Sequence, residues 1–296
     1  MPLSNRIMAT MLTAAIDNFS LETFPSEHRN HLGASQMGES CSRKLWYQFR
    51  WVKLERHTPR LKRLFDRGHR EEPSMVHLLK GAGCQVWDYD YSQPPKADGT
   101  YPQYRVSGCK GHFGGSLDAI VVLPLQYEWE RPISFSFKTS GTGSKFTSLV
   151  NKGLLLSKPE HHIQESIYCR KMGFEKYGYR CVNKNDDDHF ITIEDADWKE
   201  ADRQELRAEK IIFSRTPPAK VAANKSFSSC SQCHLSPTCQ DNVPADEINC
   251  RSCKYAHPVD NGQWMCEYPT VNGIIPPDFI HRGCVLWSSI ANSHME

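Results

Sequence analysis

Two residues of this chain sit in surroundings that call for a chemical reason. Asp118 follows "GHFGGSL" and precedes "AIVV", which places a carboxylate in the middle of an apolar strand. A charge there is costly unless it is paired or binds a cation. Lys138 closes the next strand-like run, "PISFSFK", with Ser136 two residues before it. A hairpin or a neighbouring strand pair would bring the Asp118 and Lys138 side chains onto one edge. Downstream, Gln164 and Tyr168 are four apart and share a helical face with Glu160. Upstream, "FDRGHREE" sets Glu72 four residues after Gly68. Singly, each has a bland structural reading. In this order and at these separations they form a set.

The cysteines are the second source of chemistry. There are twelve, and seven crowd into the last seventy or so residues, with Cys41 far upstream. Cys84, Cys109, Cys169 and Cys181 lie singly in apolar or strand-like surroundings and read as small buried hydrophobes. "CSQCHLSPTC" is C-x2-C-x5-C, through Cys230, Cys233 and Cys239. Cys250, Cys253, Cys266 and Cys284 follow as C-x2-C-x12-C-x17-C, the spacing of a zinc-ribbon-like knuckle with four thiolates; His257 is a spare ligand. Tyr255, Trp264 and Trp287 would pack around a site too small for a core of its own.

Elements must hold these residues in place. The chain of 296 residues is long enough to bury a substantial core. Its formal net charge of +2 says little about partners, but ten Lys and Arg lie between Arg43 and Arg70 against Glu55 and Asp66. Interleaved with Trp46, Tyr47, Phe49, Trp51 and Phe65, this run reads as a solvated face or as a path for a phosphate backbone. Arg43, Lys44, Arg63 and Arg67 are its candidate nucleic-acid contacts.

No apolar run is long enough to span a membrane, and the N-terminus reads as an amphipathic helix rather than a signal peptide. The expected location is cytoplasmic, with cysteines present as thiols or metal ligands. The pattern predicts helices over residues 6–19, through "CSRKLWYQFRW" with Ser35 or Ser40 as cap, and over 60–83 with a kink or restart at Pro73. Strands follow through "CQVWDYDY", "YRVSG", "FGGSLDAIVVL" and "PISFSFK". Two helices, two strands ("YGYRCVN", "HFITIE") and a helix from about Asp195 complete the core. The fold class is therefore α/β, a central mixed sheet flanked by helices, over residues 1–225. A linker, "TPPAKVAANKSFSS", leads to a cysteine-rich metal-binding tail over 226–296, with a clasp at 230–239 and the ribbon-like part at 250–284.

On "CSRKLWY", "GHREE", "GGSLDAIVV", "SFK" and "QESIY", taken in order, the stretch from about Leu32 to Cys239 resembles the RecB-like and Cas4-like branch of the PD-(D/E)XK nucleases, including phage-encoded members. The resemblance implies a restriction-endonuclease-like core and an Mg²⁺- or Mn²⁺-dependent deoxyribonuclease, with exonuclease action on DNA ends or single strands. A recombination or annealing protein is an implied partner. By resemblance, Glu72 and Asp118 are metal ligands together with the Phe137 carbonyl, Lys138 is the catalytic lysine, and Gln164 and Tyr168 are the helix pair that supports the site. The physical logic agrees. Phosphodiester hydrolysis needs a hard cation on the scissile oxygens and an activated water nearby. Carboxylates suit the cation, and an ammonium suits the developing charge. The same resemblance implies that Cys41, Cys230, Cys233 and Cys239 hold a 4Fe–4S cluster that ties the ends of the core together. A zinc on those thiolates, or with His234 replacing one, is the alternative.

The chain departs from the family pattern at one position. An acid is expected at 136, and a serine stands there. A hydroxyl is a neutral, weak ligand for Mg²⁺, so the chain is expected to bind DNA but to cut it slowly or not at all. Three explanations fit: a deliberate inactivation, a natural relative that binds DNA or acts as an adaptor without cutting, or an acid displaced to another element. For the last, Glu160 is favoured, because it aligns with Gln164 and Tyr168 while Glu165 points about 100° away on an ideal helix.

Overall fold

The structure is a computed structural model, and it describes residues 4–141, 143–224 and 226–292. Helix α1 (Asn5–Thr23) leads through a loop to strand β1 (Leu32–Gly33), helix α2 (Ser42–Phe49) and helix α3 (Pro59–Gly81). Strands β2 (Gln85–Trp87), β3 (Arg105–Gly108), β4 (Phe113–Ser116), β5 (Ala119–Val122) and β6 (Ile133–Ser140) follow. Helices α4 (Ser144–Ser157) and α5 (Pro159–Met172), strands β7 (Lys176–Asn183) and β8 (His189–Asp195), and helix α6 (Trp198–Phe213) complete this part.

The main sheet is mixed, in the order β2-β5-β6-β7-β8, with β6 and β7 parallel and the other pairs antiparallel. A parallel pair needs a long crossover, and α4 and α5 supply it. Strand β6 is buried on both faces, which is why its sequence alternates two kinds of small core. Ile133, Phe135 and Phe137 pack with Met75, Val76 and Leu79 of α3. Ser134, Ser136 and Lys138 point the opposite way, by the two-residue period of a strand, toward α5. The fold is thus α/β, a mixed sheet with helices on both faces.

Several local outcomes differ from the sequence pattern. Cys41, not a serine, caps α2, its Sγ accepting from the Lys44 N–H at 3.4 Å. Asp197, not Asp195, caps α6 by accepting from Glu200 N–H at 2.9 Å. Pro73 lies inside an uninterrupted α3. Having no N–H, it leaves the helix without the rung to His69, one residue from Glu72. The run "FGGSLDAIVVL" is two strands rather than one. β4 belongs to a small sheet of order β1-β4-β3, β5 belongs to the main sheet, and Leu117 and Asp118 form the step between them.

The tail holds short helices α7 (Ser228–Ser231) and α8 (Ser236–Asp241), strands β9 (Ala256–Pro258), β10 (Trp264–Cys266) and β11 (Gly273–Ile274), and helix α9 (Pro277–Ile280). Leu235, Cys253, Ala256, Trp264 and Ile290 share one buried cluster with Trp46 and Phe49 of α2 and with Ile211 of α6. Two buried arginines seal this seam. Arg251 sits over the rings of Phe49, Trp51 and Trp264 at 4.5, 4.3 and 4.6 Å and donates to the Asn30 carbonyl at 3.0 Å. Arg50 donates to the carbonyls of Ala256 and Ser214 at 2.8 and 3.1 Å. No described helix is long and apolar enough to cross a membrane.

Candidate active site

The step between the two sheets places Asp118 opposite Ser136, one register position beyond the Ala119–Phe135 pair. One oxygen of Asp118, Oδ2, accepts three hydrogen bonds: from Phe137 N–H at 2.8 Å, Lys138 Nζ at 3.1 Å and Ser136 Oγ at 3.2 Å. The bonds repay the desolvation that a lone carboxylate would suffer here. Lys138 Nζ also donates to the Phe137 carbonyl at 3.1 Å. Burial works against the ammonium, but Asp118, Glu165 and Glu72 together hold its pKa above the usual lysine value.

Glu72 comes from α3 and lines a cavity with Phe137, Lys138 and Thr139. Burial and the charge of Asp118 raise its carboxyl above the ordinary range. Gln164 and Tyr168 line the adjoining cavity with Asp118 and Lys138. Tyr168 reaches that position because Gly115 has no side chain: a Cβ there would lie 2.5 Å from the Tyr168 hydroxyl. His161, at the other side of Lys138, has its imidazole pushed down to about 4 by burial and by the lysine, and its Nδ1 lies 2.9 Å from the Tyr179 hydroxyl.

Glu165 is the residue that the spacing argument set aside. It is 2% exposed, its Oε2 accepts from Ser134 Oγ at 2.9 Å, and burial pushes its carboxyl up to about 7, with Asp118 adding to the shift. Glu160, favoured over it from helix geometry, pairs with Lys158 at 3.4 Å and its side chain is 41% exposed. Helix α5 lies on the sheet with residues 164–169 all buried, so a face 100° from Gln164 is still an interior face. The available signal was the pair of serines at 134 and 136, small polar residues on one buried strand face that need a partner.

Three cavities, of about 850, 510 and 730 Å³, meet at Lys138. Arg60, Arg67, Lys145, Lys158 and Lys184 line the first; Arg29 and Arg105 line the last. Of the cations singled out in the sequence, Arg67 is in this groove and donates to the Lys184 carbonyl at 3.0 Å. Arg63 pairs with Asp17 of α1. Arg43 donates to the Pro218 carbonyl at 2.8 Å, and Lys44 pairs with Glu39 at 2.6 Å, both beside the cysteine pocket.

The hard oxygen donors around Lys138 suit Mg²⁺ or Mn²⁺. Three carboxyl groups bear on one ammonium, and burial moves two of them, Glu72 and Glu165, toward the protonated form, which a divalent cation nearby would oppose. Among the described residues, no three His, Cys, Asp or Glu side chains stand close enough together to hold one ion as they are placed.

The cysteines assemble in two groups. Cys41, Cys230, Cys233 and Cys239 line one cavity of about 260 Å³ with Lys44 and Tyr47. Burial raises the Cys233 and Cys239 thiols, while Lys44 and Arg43 respectively draw them back. Burial outweighs the cations, so the metal-free thiols stay protonated, and it is a bound soft metal that would favour the thiolate form. Burial, with Cys284, Cys253 and Cys266 nearby, pushes the Cys250 thiol up to about 11. A bound cation would reverse that shift. All twelve cysteines are free.

No protein-family model and no curated protein matches this sequence. Solved structures with a distant likeness include SSO0001, at 17% identity and TM-score 0.42, covering 79% of this chain and 98% of the other. LHK-Exo in complex with dAMP aligns at 15% identity and TM-score 0.41, over 64% of this chain and 90% of the other. The alkaline exonuclease LHK-Exo from Laribacter hongkongensis, in a further structure, aligns at 15% identity and TM-score 0.39, over 62% and 87%.

Proposed function

We propose that this chain is a metal-dependent DNA nuclease of the exonuclease type. The observation that carries the reading is the Asp118–Lys138 hydrogen bond at the junction of three cavities, with Glu72 on one side and a groove of cations on the other. In this reading Asp118, Glu72 and the Phe137 carbonyl would hold Mg²⁺ or Mn²⁺, which would supply positive charge at the scissile phosphate and a more acidic water. Lys138 holds its proton and offers it toward the charge that develops on phosphate oxygens. Gln164 and Tyr168 position the strand from the α5 side. Arg60, Arg67, Lys145, Lys158 and Lys184 lead the phosphate backbone to the lysine.

Cys41, Cys230, Cys233 and Cys239 hold a 4Fe–4S cluster in the same reading, with zinc on the same thiolates or with His234 as the alternative. Cys250, Cys253, Cys266 and Cys284 hold zinc. DNA ends or single strands are the substrate, and a recombination or annealing protein is the partner class.

Ser136 favours a second reading, a nuclease-fold protein that binds DNA without cutting it. End-labelled single- and double-stranded DNA, with Mg²⁺ or with EDTA, separates the two. Metal-dependent shortening by the chain as written, lost in Lys138→Ala, supports the nuclease. Binding without shortening, unchanged by Ser136→Glu in a folded protein, establishes the binding protein instead.

A further inference from the structure

Helix α1 is turned the wrong way round for a helix packed on a core. On an ideal helix, at about 100° per residue, Met8, Leu12, Ala15 and Phe19 fall within about 60° of arc, with Met11 and Ile16 flanking them. This is the side left in water: Met8, Met11, Leu12, Ile16 and Phe19 are 48–67% exposed. The polar side is the one that meets the rest of the chain. Asp17 pairs with Arg63 of α3 at 2.5 Å, and Ser20 Oγ accepts from the same guanidinium at 3.4 Å. Thr10, Thr13 and Ser20 return their hydroxyls to carbonyls of α1 itself, and of the 19 residues in the helix Ser20 is the one that is buried. Helices in proteins gain most of their stability by burying the apolar stripe. We infer that the stripe of α1 is covered by the same stripe of a second copy of this chain, the two helices lying antiparallel about a two-fold axis. No α1 residue lines the cavities at Lys138, so the inference stands apart from the nuclease reading.

Area is the first argument. At these exposures the five large side chains leave roughly 500–600 Å² of apolar surface in water, at the upper end of the largest patch that a monomer ordinarily shows. Two such stripes face to face bury about 1,000–1,200 Å² before any rim is counted, which reaches the range of a specific interface.

Self-complementarity is the second. With the helices antiparallel about a point between Thr13 and Ala14, Met8 meets Phe19 of the other copy, Met11 meets Ile16, and Leu12 meets Ala15. Each contact occurs twice, as a two-fold interface requires. The small Ala15 leaves a place for Leu12 of the other copy to enter. The steps of four, three and four residues from Met8 through Leu12 and Ala15 to Phe19 are those of helices packed along their length at a shallow angle.

Charge is the third, and it disfavours other occupants. The charged side chains of α1 are Arg6, Asp17 and Glu22. Arg6 and Asp17 lie on the side away from the stripe, so the stripe has nothing to hold a phosphate backbone. A helix lying in a membrane surface is rich in Lys and Arg on its polar face, where α1 has Arg6. Glu22 stands at one end of the stripe. An antiparallel pair puts the two Glu22 carboxylates at opposite ends and sets the helix dipoles against each other, whereas a parallel pair would bring the carboxylates side by side.

The test is sedimentation velocity of the full chain at concentrations up to roughly 100 µM, with circular dichroism to verify folding. The parent should form a dimer. Leu12→Glu should be a folded monomer, its dissociation constant raised on the order of a hundredfold or more, because a central contact is lost twice. Leu125→Glu, at an exposed leucine far from α1 in the sequence, should leave the dimer unchanged. Met8→Lys and Phe19→Glu should each be monomeric alone and should pair when mixed one to one, since the register sets the two new and opposite charges face to face. That recovery distinguishes a lost contact from a frayed helix. A parent that stays monomeric throughout would overturn the inference, as would a dimer that survives Leu12→Glu, or a folded Met8→Lys and Phe19→Glu that do not pair. A monomeric parent that floats with anionic phospholipid vesicles, and loses this with Leu12→Glu, would assign the stripe to a lipid surface instead.

Discussion

Glu165→Gln should make the metal-free protein more stable at neutral pH, against the usual cost of changing a buried residue. Burial pushes the Glu165 carboxyl from 4.5 to about 7. Folded protein therefore keeps a proton that unfolded protein has released between those values. Stability falls as pH rises wherever the folded state holds more protons. The contribution of Glu165 is thus fully present below about pH 4.5, declines through the interval up to about 7, and is lost above it. At about 1.36 kcal/mol for each pH unit, the loss is on the order of 3 kcal/mol. Unfolding entropy of about 2.1 cal/mol/K per residue turns this into roughly 5 °C of Tm for a chain of 296 residues. The glutamine keeps a hydrogen bond to Ser134 and has nothing to deprotonate. Melting curves in EDTA, read at pH 5 and pH 8, should show the variant near the parent at the lower pH and about 5 °C above it at the higher. An equal loss of Tm at both values would refute the reasoning, because it would mean that Glu165 is ionised throughout and paired with Lys138.

DNA affinity should fall steeply with salt, and Lys184→Ala should weaken it and reduce the slope of log K against log salt by about one, while Arg63→Ala, which loses only a pairing with α1, should leave both unchanged in a filter-binding assay. Anaerobically purified protein should be brown and carry about four irons and about one zinc by metal analysis; Cys230→Ser should lose the iron and Cys266→Ser the zinc, and a colourless protein with two zincs would refute the cluster. Gly115→Ala should displace the Tyr168 ring, whose hydroxyl would stand 2.5 Å from the new methyl, and cost about 1–3 kcal/mol in chemical denaturation.

The sequence made the strand half of the site legible. Alternation in "PISFSFK" sets two faces, and an antiparallel neighbour that begins just after Asp118 has few ways to meet it. What lay beyond sequence was everything fixed by packing between distant segments. Glu165 and Ser134 are 31 positions apart and meet because α5 lies across β6; helix periodicity alone compares α5 only with itself. The density of Lys and Arg between 43 and 70 marks only part of the groove, Arg60 and Arg67, for a similar reason. Arg43 and Arg50 in that run hold carbonyls at the seam with the later chain, whereas the groove gathers its cations from α3, α4, the start of α5 and the turn after β7. The break at Leu117 was also hidden, since Leu117 N–H bonds to the Tyr104 carbonyl across the small sheet, a contact that no local pattern records.

The two buried arginines at the seam with the tail bear on what a protease would do to this molecule. Residues 216–224 form a largely exposed, irregular segment that a protease could reach, and a single nick there would separate the chain into two pieces covalently. It would not separate them in space. Arg251 would still lie among Phe49, Trp51 and Trp264, and Arg50 would still hold the Ala256 carbonyl. Letting go would leave Trp46, Phe49 and Trp51 facing water. The nicked protein should therefore migrate as one particle under native conditions and as two bands in detergent. A fragment ending near residue 215, produced alone, should be sticky, but rescued by adding the missing piece during refolding.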